Sequence, residues 1–141
     1  MFELSTGAIL YTMDHDELKF LVIRDFHGNY GFPKGHTEEN ETYEETALRE
    51  IREEVGLDVK LDTSFEEELN YIMPNGIAKR SIYYLASYED QIPVKQEEEV
   101  QEILLLPYEK ALEILTFDNM KEVLVKAQRY IDEKSEFSSG D

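Results

Sequence analysis

The pattern of hydrophobic and polar positions divides the chain into segments typical of strands and segments typical of helices. Residues 6–13 and 17–25 have the β-rich composition of strands, and the turn-forming Asp14-His15-Asp16 separates them. The segment from Phe26 to Glu39 is rich in Gly and Pro, which predicts a loop with room for one short strand. The chain therefore opens with a strand pair followed by a loop.

From Thr42 the pattern changes to helical spacing. Thr42 and Glu45 have the spacing of a capping box, in which each residue caps the backbone of the other. An apolar stripe follows at helical spacing, formed by Leu48, Ile51 and Val55. Gly56 stands where a glycine ends many helices. The sequence therefore predicts a helix from about residue 42 to residue 55.

The second half of the chain repeats this order of strands and helices. Apolar or alternating runs at 58–73, 80–89 and 100–106 predict strands, and Pro74-Asn75-Gly76 predicts a turn between the first two. A short helix is expected after Pro107, and a second one continues to about residue 133. This order favours an α/β fold with helices packed on a mixed sheet.

Neither an internal repeat nor a Pro/Gly-rich linker divides the chain. We predict one domain over residues 1–134 and a frayed polar tail over residues 135–141. The N-terminus lacks the basic region of a signal peptide, and no apolar run approaches the length that spans a membrane. We therefore expect a cytoplasmic protein that does not bind membranes.

The composition of the chain excludes several kinds of site and partner. The chain has 141 residues and no cysteine, which excludes disulfides, thiolate metal ligands and cysteine nucleophiles. Asp and Glu number 32 against 14 Lys and Arg, a formal net charge of -18. Long nucleic acids need basic surfaces on their protein partners, so we expect no such partner. A phosphate-containing ligand would need divalent cations to mediate its contact with this chain.

Three carboxylates in the first helix are candidates for that task. Glu50, Glu53 and Glu54 stand at i, i+3 and i+4, so they share one side of the helix. Mg²⁺ prefers carboxylate oxygens together with water and substrate phosphates. Taken alone, however, the three residues are better explained as a solvated acidic face.

The spacing around these carboxylates is more specific. Gly35, Glu41 and the run from Arg49 to Leu57 fill every specified position of Gx5Ex7REUxEExGU, where U is a bulky aliphatic residue. This pattern resembles the Nudix box of the Nudix hydrolases. The resemblance implies an α/β/α sandwich with helices on both faces of a mixed sheet. It also implies a metal-dependent hydrolase that uses Mg²⁺ or Mn²⁺ on a small nucleotide substrate.

The resemblance assigns roles to the residues of the box. Glu50, Glu53 and Glu54 would be metal ligands, together with the carbonyl of Gly35, and Glu53 and Glu54 would take part in catalysis. Glu41 and Arg49 would orient the helix and its carboxylates. The cations would neutralise phosphate oxygens and assist attack by water on phosphorus.

Other segments resemble one branch of the family, the asymmetric diadenosine tetraphosphate hydrolases. These segments are YGFPKGH at residues 30–36, EELNY at 67–71 and KRSIYYLA at 79–86. The resemblance implies hydrolysis of diadenosine tetraphosphate to ATP and AMP. Tyr71 would then stack on an adenine, Lys34 and Lys79 would contact the polyphosphate, and His36 would also belong to the substrate site.

Several alternatives remain open at this point. A further carboxylate, acting as base or metal ligand, is expected in the loop before the last strand, where Glu99 matches best and Glu98 is the alternative. Tyr83 and Tyr84 point to opposite faces of a strand, so one is expected in the core and the other at the substrate site; Tyr83 is the candidate named here, with Tyr84 as the alternative. Alternative substrates are an oxidised dNTP, a nucleotide sugar and an RNA 5′ end. A nucleotide sensor without catalytic activity is the alternative of another class.

Overall fold

A computed structural model describes residues 2–96 and 98–139. Its strands are β1 (Phe2–Asp14), β2 (Glu17–Asp25), β3 (Tyr30–Gly31), β4 (Lys34–His36), β5 (Lys60–Ile72), β6 (Ala78–Ser87) and β7 (Val100–Leu106). Its helices are α1 (Tyr43–Val55), α2 (Tyr108–Ile114) and α3 (Asp118–Ser139).

The strands of this part of the chain form one mixed sheet, as the sequence predicts. β1 lies at its centre, where it pairs in parallel with β6 and antiparallel with β2 and β4. β5 pairs antiparallel with β6, while β3 and β7 pair antiparallel with β2. The ends of several strands thus meet beside the start of β1, and this is where the candidate site lies.

Helices cover both faces of the sheet, which confirms the predicted α/β/α sandwich. Successive residues of a strand point to opposite faces, so the fully buried Ala8 and Ile9 of β1 enter different cores. Ala8 joins the core beneath α1, together with Ile51 and Val55 of that helix. Ile9 joins the core beneath α2 and α3, together with Leu124.

The predicted start and end of α1 are confirmed. The hydroxyl of Thr42 accepts a hydrogen bond from the Glu45 backbone N–H, and the Glu45 carboxylate accepts one from the Thr42 N–H. Gly56 follows the helix with a φ of 68°, a left-handed conformation that glycine adopts without steric cost. The helix that carries the candidate carboxylates is therefore capped at both ends.

The loop predicted between Phe26 and Glu39 contains two short strands, β3 and β4. A close approach between two segments of the chain makes the second strand possible: a Cβ atom at Gly7 of β1 would overlap the Pro33 carbonyl oxygen. Glycine at this position lets β4 pair with β1 and places Lys34 and Gly35 beside the end of α1. The sequence pattern does not reveal this contact, because it lies between residues far apart in the chain.

The end of the last helix near residue 133 was predicted too early, since α3 continues through Ser139. Residues 132–135 are exposed, so the apolar spacing ends there although the backbone remains helical. Lys134 extends from this part of α3 to Asp62 of β5, with Nζ 3.0 Å from Oδ2. Among the described helices, none is both long enough and apolar enough to cross a membrane.

Candidate functional site

Three carboxylates from two parts of the chain converge beside the end of β4. Glu50 and Glu54 come from α1, and Glu99 comes from the turn before β7. One oxygen atom from each lies within 4.8 Å of the other two. Glu53 is not part of this group, because its half-exposed side chain turns toward Arg49 instead.

Glu54 is the most deeply buried member of the group, at 8% exposure. Burial, followed by the nearby charges of Glu50 and Glu99, raises the pKa of Glu54 to about 8, against the opposing effect of Lys34. Its Oε2 atom is buried and has no hydrogen-bond partner among the described residues. A buried carboxylate oxygen without a partner is costly unless a cation or a proton satisfies it.

Glu50 lies against the backbone of β4. A Cβ atom at Gly35 would overlap the Glu50 carboxylate, so only glycine allows this approach. Burial is also the main cause that raises the pKa of Glu50, and the adjacent Arg49 guanidinium opposes it. Gly35 and Glu50, which are distant from each other in the sequence, are therefore in direct contact in the fold.

Arg49 links the start of α1 to its carboxylates. Its guanidinium donates to Glu41 through Nε (2.6 Å to Oε2) and through Nη2 (3.1 Å to Oε1). It also donates to Glu50 Oε1 at 2.8 Å and to Glu53 Oε2 at 3.2 Å. The Arg49 guanidinium holds the pKa of Glu41 at about 2. Arg49 thus contacts both Glu41 and the carboxylates of α1, and the orienting role of Glu41 and Arg49 stays a prediction.

The structure distinguishes the two loop carboxylates that the sequence left as alternatives. Glu99 belongs to the carboxylate group, whereas Glu98 is exposed and lies outside it. Glu99 also lines the adjacent cleft, so its side chain is accessible to a ligand. The geometry therefore favours Glu99 as the third carboxylate.

A cleft of about 740 Å³ opens next to the carboxylates. Glu54 and Glu99 lie in its wall together with four of the predicted substrate-binding residues, namely Lys34, Tyr71, Lys79 and Tyr83. Tyr71 of β5 and Lys79 of β6 are directly opposite each other in the antiparallel pair. Residues that pair in this way share one face of the sheet, so both side chains belong to the same wall.

Tyr83 and Tyr84 separate as the alternation of a strand requires. Tyr83 packs in the core beneath α2 and α3 and lines the cleft, while Tyr84 packs beneath α1 on the other face. Burial raises the pKa of the Tyr83 hydroxyl, and Tyr71 and Glu54 add to this shift. Tyr83 thus stays neutral in the floor of the cleft.

His36 is placed differently from the other predicted substrate residues. Its side chain is exposed and does not line the cleft. Its backbone carbonyl accepts a hydrogen bond of 2.9 Å from Arg49 Nη2. The part of His36 that contacts the site is thus its backbone, which anchors β4 to the arginine network.

Three further residues of the cleft lining were not predicted from the sequence as part of the site. They are Tyr30, Phe117 and Met120, and Phe117 is 51% exposed. The backbone N–H of Tyr30 donates to the Thr116 hydroxyl at 2.8 Å, which joins β3 to the segment before α3. An exposed phenylalanine just before a helix is a weak signal, and only the fold brings Phe117 into the same cleft as Tyr71 and Lys79.

The donor set suits a hard divalent cation. Carboxylate oxygens are the ligands that Mg²⁺ and Mn²⁺ prefer, and Glu54 offers one that is buried without a partner among the described residues. Three carboxylates held so close together repel one another until a cation lies between them. Glu50, Glu54 and Glu99 therefore fit a metal centre, with the cleft as its route for a substrate.

Comparison with known proteins gives consistent results. A profile of the NUDIX domain matches residues 1–127. The asymmetrical bis(5'-nucleosyl)-tetraphosphatase of Mus musculus is 33% identical over 125 residues, which cover 84% of this chain and 84% of that protein. An RNA pyrophosphohydrolase of a Nitratiruptor species is 27% identical over 111 residues, 70% of this chain and 72% of that protein.

A solved structure has the same fold. It is that of a C. elegans Ap4A hydrolase binary complex, with a TM-score of 0.86, 22% sequence identity, and coverage of 93% of this chain and 98% of that one. At this level of identity the likeness concerns the fold, including the mixed sheet and the helices on its two faces.

Proposed function

The chain belongs to the NUDIX domain family, and from this premise we propose that it is a metal-dependent hydrolase that cleaves diadenosine tetraphosphate to ATP and AMP. The observation that carries the proposal is the position of the carboxylate group at one side of a cleft that also exposes two lysines and several aromatic rings. The similarity to the mouse tetraphosphatase supports this choice of substrate.

Glu50, Glu54 and Glu99 would hold Mg²⁺ or Mn²⁺, and the Gly35 carbonyl would be a further ligand. When bound, the cation would neutralise phosphate oxygens and lower the pKa of a coordinated water. Glu53 would join these ligands only by giving up its ion pair with Arg49, since its carboxylate lies 3.2 Å from Nη1. The sequence pattern gives a catalytic role to both Glu53 and Glu54, and the geometry supports that role more strongly for Glu54.

Glu99 would also act as the general base, through the carboxylate oxygen that does not bind the cation. Its side chain is exposed toward the cleft, whereas Glu50 and Glu54 are mostly enclosed by protein. An accessible carboxylate can accept the proton that water loses as it attacks phosphorus. The water oxygen would bond to one phosphorus, the bond from that phosphorus to a bridging oxygen would break, and the two nucleotides would separate.

The cleft residues account for the choice of substrate. Tyr71 would stack on an adenine, and such stacking contributes about 1–3 kcal/mol per base. Lys34 and Lys79 would contact the polyphosphate bridge, and the neutral hydroxyl of Tyr83 would donate a hydrogen bond from the floor of the cleft. His36 would contribute through its carbonyl contact with Arg49.

A second candidate is hydrolysis of the 5′ pyrophosphate of an RNA, which the similarity to the Nitratiruptor protein favours. The net charge of -18 opposes it, because each additional nucleotide brings a phosphate into a repulsive field. A dinucleotide needs only the cleft, so we place it first.

The test is product analysis by chromatography over a panel of substrates with Mg²⁺. The panel contains diadenosine tetraphosphate, an oxidised dNTP, an ADP-sugar and an RNA with a 5′ triphosphate. We expect ATP and AMP as the main products and no turnover with EDTA present. Turnover of another compound in preference to diadenosine tetraphosphate would replace the substrate, and tight binding without turnover would identify a sensor.

A further inference from the structure

We propose that Gln91 is a positioning residue that fastens the loop of residues 88–96 to the end of α1 and thereby sets the position of Glu99 at the carboxylate group. The inference rests on the proposed function, because it gives Glu99 a role in binding the metal. It adds a residue that touches neither substrate nor metal.

Glu99 depends on such a fastening more than its two partners do. Glu50 and Glu54 are held by the backbone of α1, whereas Glu99 stands in a turn that follows a loop without regular structure. Its carboxylate is nevertheless within 4.8 Å of both. Like charges repel at this distance, so a loosely held Glu99 would move away into solvent.

The side-chain amide of Gln91 binds both backbone groups of one residue. The Asp58 N–H donates to Gln91 Oε1 at 2.9 Å, and Gln91 Nε2 donates to the Asp58 carbonyl at 2.7 Å. Asp58 follows soon after Gly56, the residue that ends α1. The Gln91 amide therefore joins the start of the loop to the segment that leaves the helix.

Beyond Gln91 the loop continues along the end of α1. The Val94 N–H donates to the Val55 carbonyl at 2.8 Å, and the Gln96 N–H donates to the Glu54 carbonyl at 3.3 Å. The last carbonyls of a helix have no partner within it, so the loop satisfies groups that α1 leaves open. The second bond joins the loop to the same residue whose carboxylate lies beside Glu99.

Gln91 is the part of this attachment that a substitution can remove without changing the backbone. Gln91→Ala should let the loop shift and should weaken metal binding through Glu99. Groups that support metal ligands typically affect affinity by about 10- to 100-fold, and we expect roughly 10-fold here because the backbone bonds remain.

Asp58→Ala is a matched control. It removes a side chain that pairs with Arg52 (Nε to Oδ1, 3.1 Å) but keeps the backbone groups that bind Gln91. Since the Asp58 side chain is 80% exposed, its loss should change metal affinity by less than about 2-fold. Gln91→Glu keeps the accepting oxygen and loses the donor, so it should fall between wild type and Gln91→Ala.

The experiment measures Mn²⁺ affinity without substrate, from the electron paramagnetic resonance signal of the free ion, together with thermal melting. The deciding comparison is made in a Glu99→Gln background. If Gln91 acts through Glu99, adding Gln91→Ala to Glu99→Gln should leave the affinity of the single variant unchanged. Additive losses would show that Gln91 acts on α1 instead and would overturn the inference.

Two further outcomes separate this inference from the proposed function. Equal Mn²⁺ affinities for wild type and Gln91→Ala would reject the role of Gln91 and leave the metal centre intact. Failure of the wild type to bind Mn²⁺ would reject the metal centre and, with it, the role of Gln91. If Gln91→Ala does not fold, Gln91→Glu carries the same comparison, because it retains one of the two hydrogen bonds.

Discussion

Glu3 Oε2 lies 3.5 Å from Lys79 Nζ, so one of the two lysines of the cleft faces a carboxylate before any substrate binds. The two residues pair across the parallel strands β1 and β6. A phosphate that binds Lys79 must compete with Glu3. Glu3→Gln should therefore lower KM for diadenosine tetraphosphate by about 2- to 5-fold, as expected for a partly exposed ion pair.

Lys79→Ala should raise the same KM, and more for tetraphosphate substrates than for short pyrophosphates. Steady-state kinetics with both kinds of substrate measure the difference. The control for Glu3→Gln is Glu109→Gln, which also removes one negative charge, but from the exposed side of α2. An equal fall in KM for Glu109→Gln and Glu3→Gln would mean that net charge, rather than the contact with Lys79, controls affinity.

Tyr71 offers a test of adenine stacking. Tyr71→Ala should raise KM for diadenosine tetraphosphate by roughly 5- to 100-fold with a much smaller change in kcat, because the lost contact stabilises ground and transition states alike. Tyr71→Phe keeps the ring and should behave like the wild type. Tyr43→Ala, which removes an exposed tyrosine of α1, is the control for loss of a surface ring.

The comparison substrate for Tyr71 is an ADP-sugar. If the wild type prefers it to the dinucleotide, or if Tyr71→Ala leaves the dinucleotide KM unchanged, the tetraphosphatase assignment is wrong. Membership of the NUDIX family would be unaffected by that result.

Glu54→Gln should lower kcat by on the order of 10²-fold or more, because it removes a proposed metal ligand. The fold should be retained and the melting temperature unchanged or raised, since the substitution relieves repulsion with Glu50 and Glu99. Glu53→Gln should have a smaller effect on kcat, because Glu53 lies outside the carboxylate group. Thermal melting and kinetics at saturating Mg²⁺ measure both effects, and unchanged turnover in Glu54→Gln would remove Glu54 from the mechanism.

The sequence predicted most of the fold because its signals are local. The capping box at Thr42, the stop at Gly56 and the alternation within β6 each depend on neighbouring residues, and all three are found in the structure. The spacing of the box also indicated Glu50 and Glu54, since residues four apart share a helix face.

The remaining features depend on contacts between distant residues. Nothing in the spacing shows that Glu53 turns toward Arg49 while Glu99 takes its place beside Glu50 and Glu54. The aromatic wall at Phe117 likewise depends on the bond between Tyr30 and Thr116. Such contacts follow from strand pairing and loop path, which periodicity along the chain does not encode.

Glu99→Gln should lower kcat by roughly 10²- to 10⁴-fold, the span expected for loss of a general base. Glu98→Gln is a closely matched control, because it changes the adjacent residue of the same turn and lies outside the carboxylate group. Single-turnover kinetics at saturating Mg²⁺ measure the chemical step directly. A large loss in Glu98→Gln with normal turnover in Glu99→Gln would shift the assignment by one residue.

Glu41 should contribute to stability in a way that depends on pH. Hydrogen bonds from Arg49 and from the Glu38 N–H lower its pKa from 4.5 to about 2, so the folded state favours the charged form. Because the pKa of Glu41 is lower in the folded state, its ionised carboxylate stabilises the fold at pH values above 4.5. This contribution is lost as pH falls from 4.5 toward 2. Glu41→Gln should therefore reduce the melting temperature near neutral pH, and the difference from wild type should shrink on acidification through that window. Thermal melting between about pH 7 and pH 3 follows this change.

Glu39→Gln, at an exposed neighbouring position, should melt like the wild type throughout. A difference between Glu41→Gln and wild type that stays constant with pH would show that the lost packing, and not the charge bound by Arg49, causes the destabilisation.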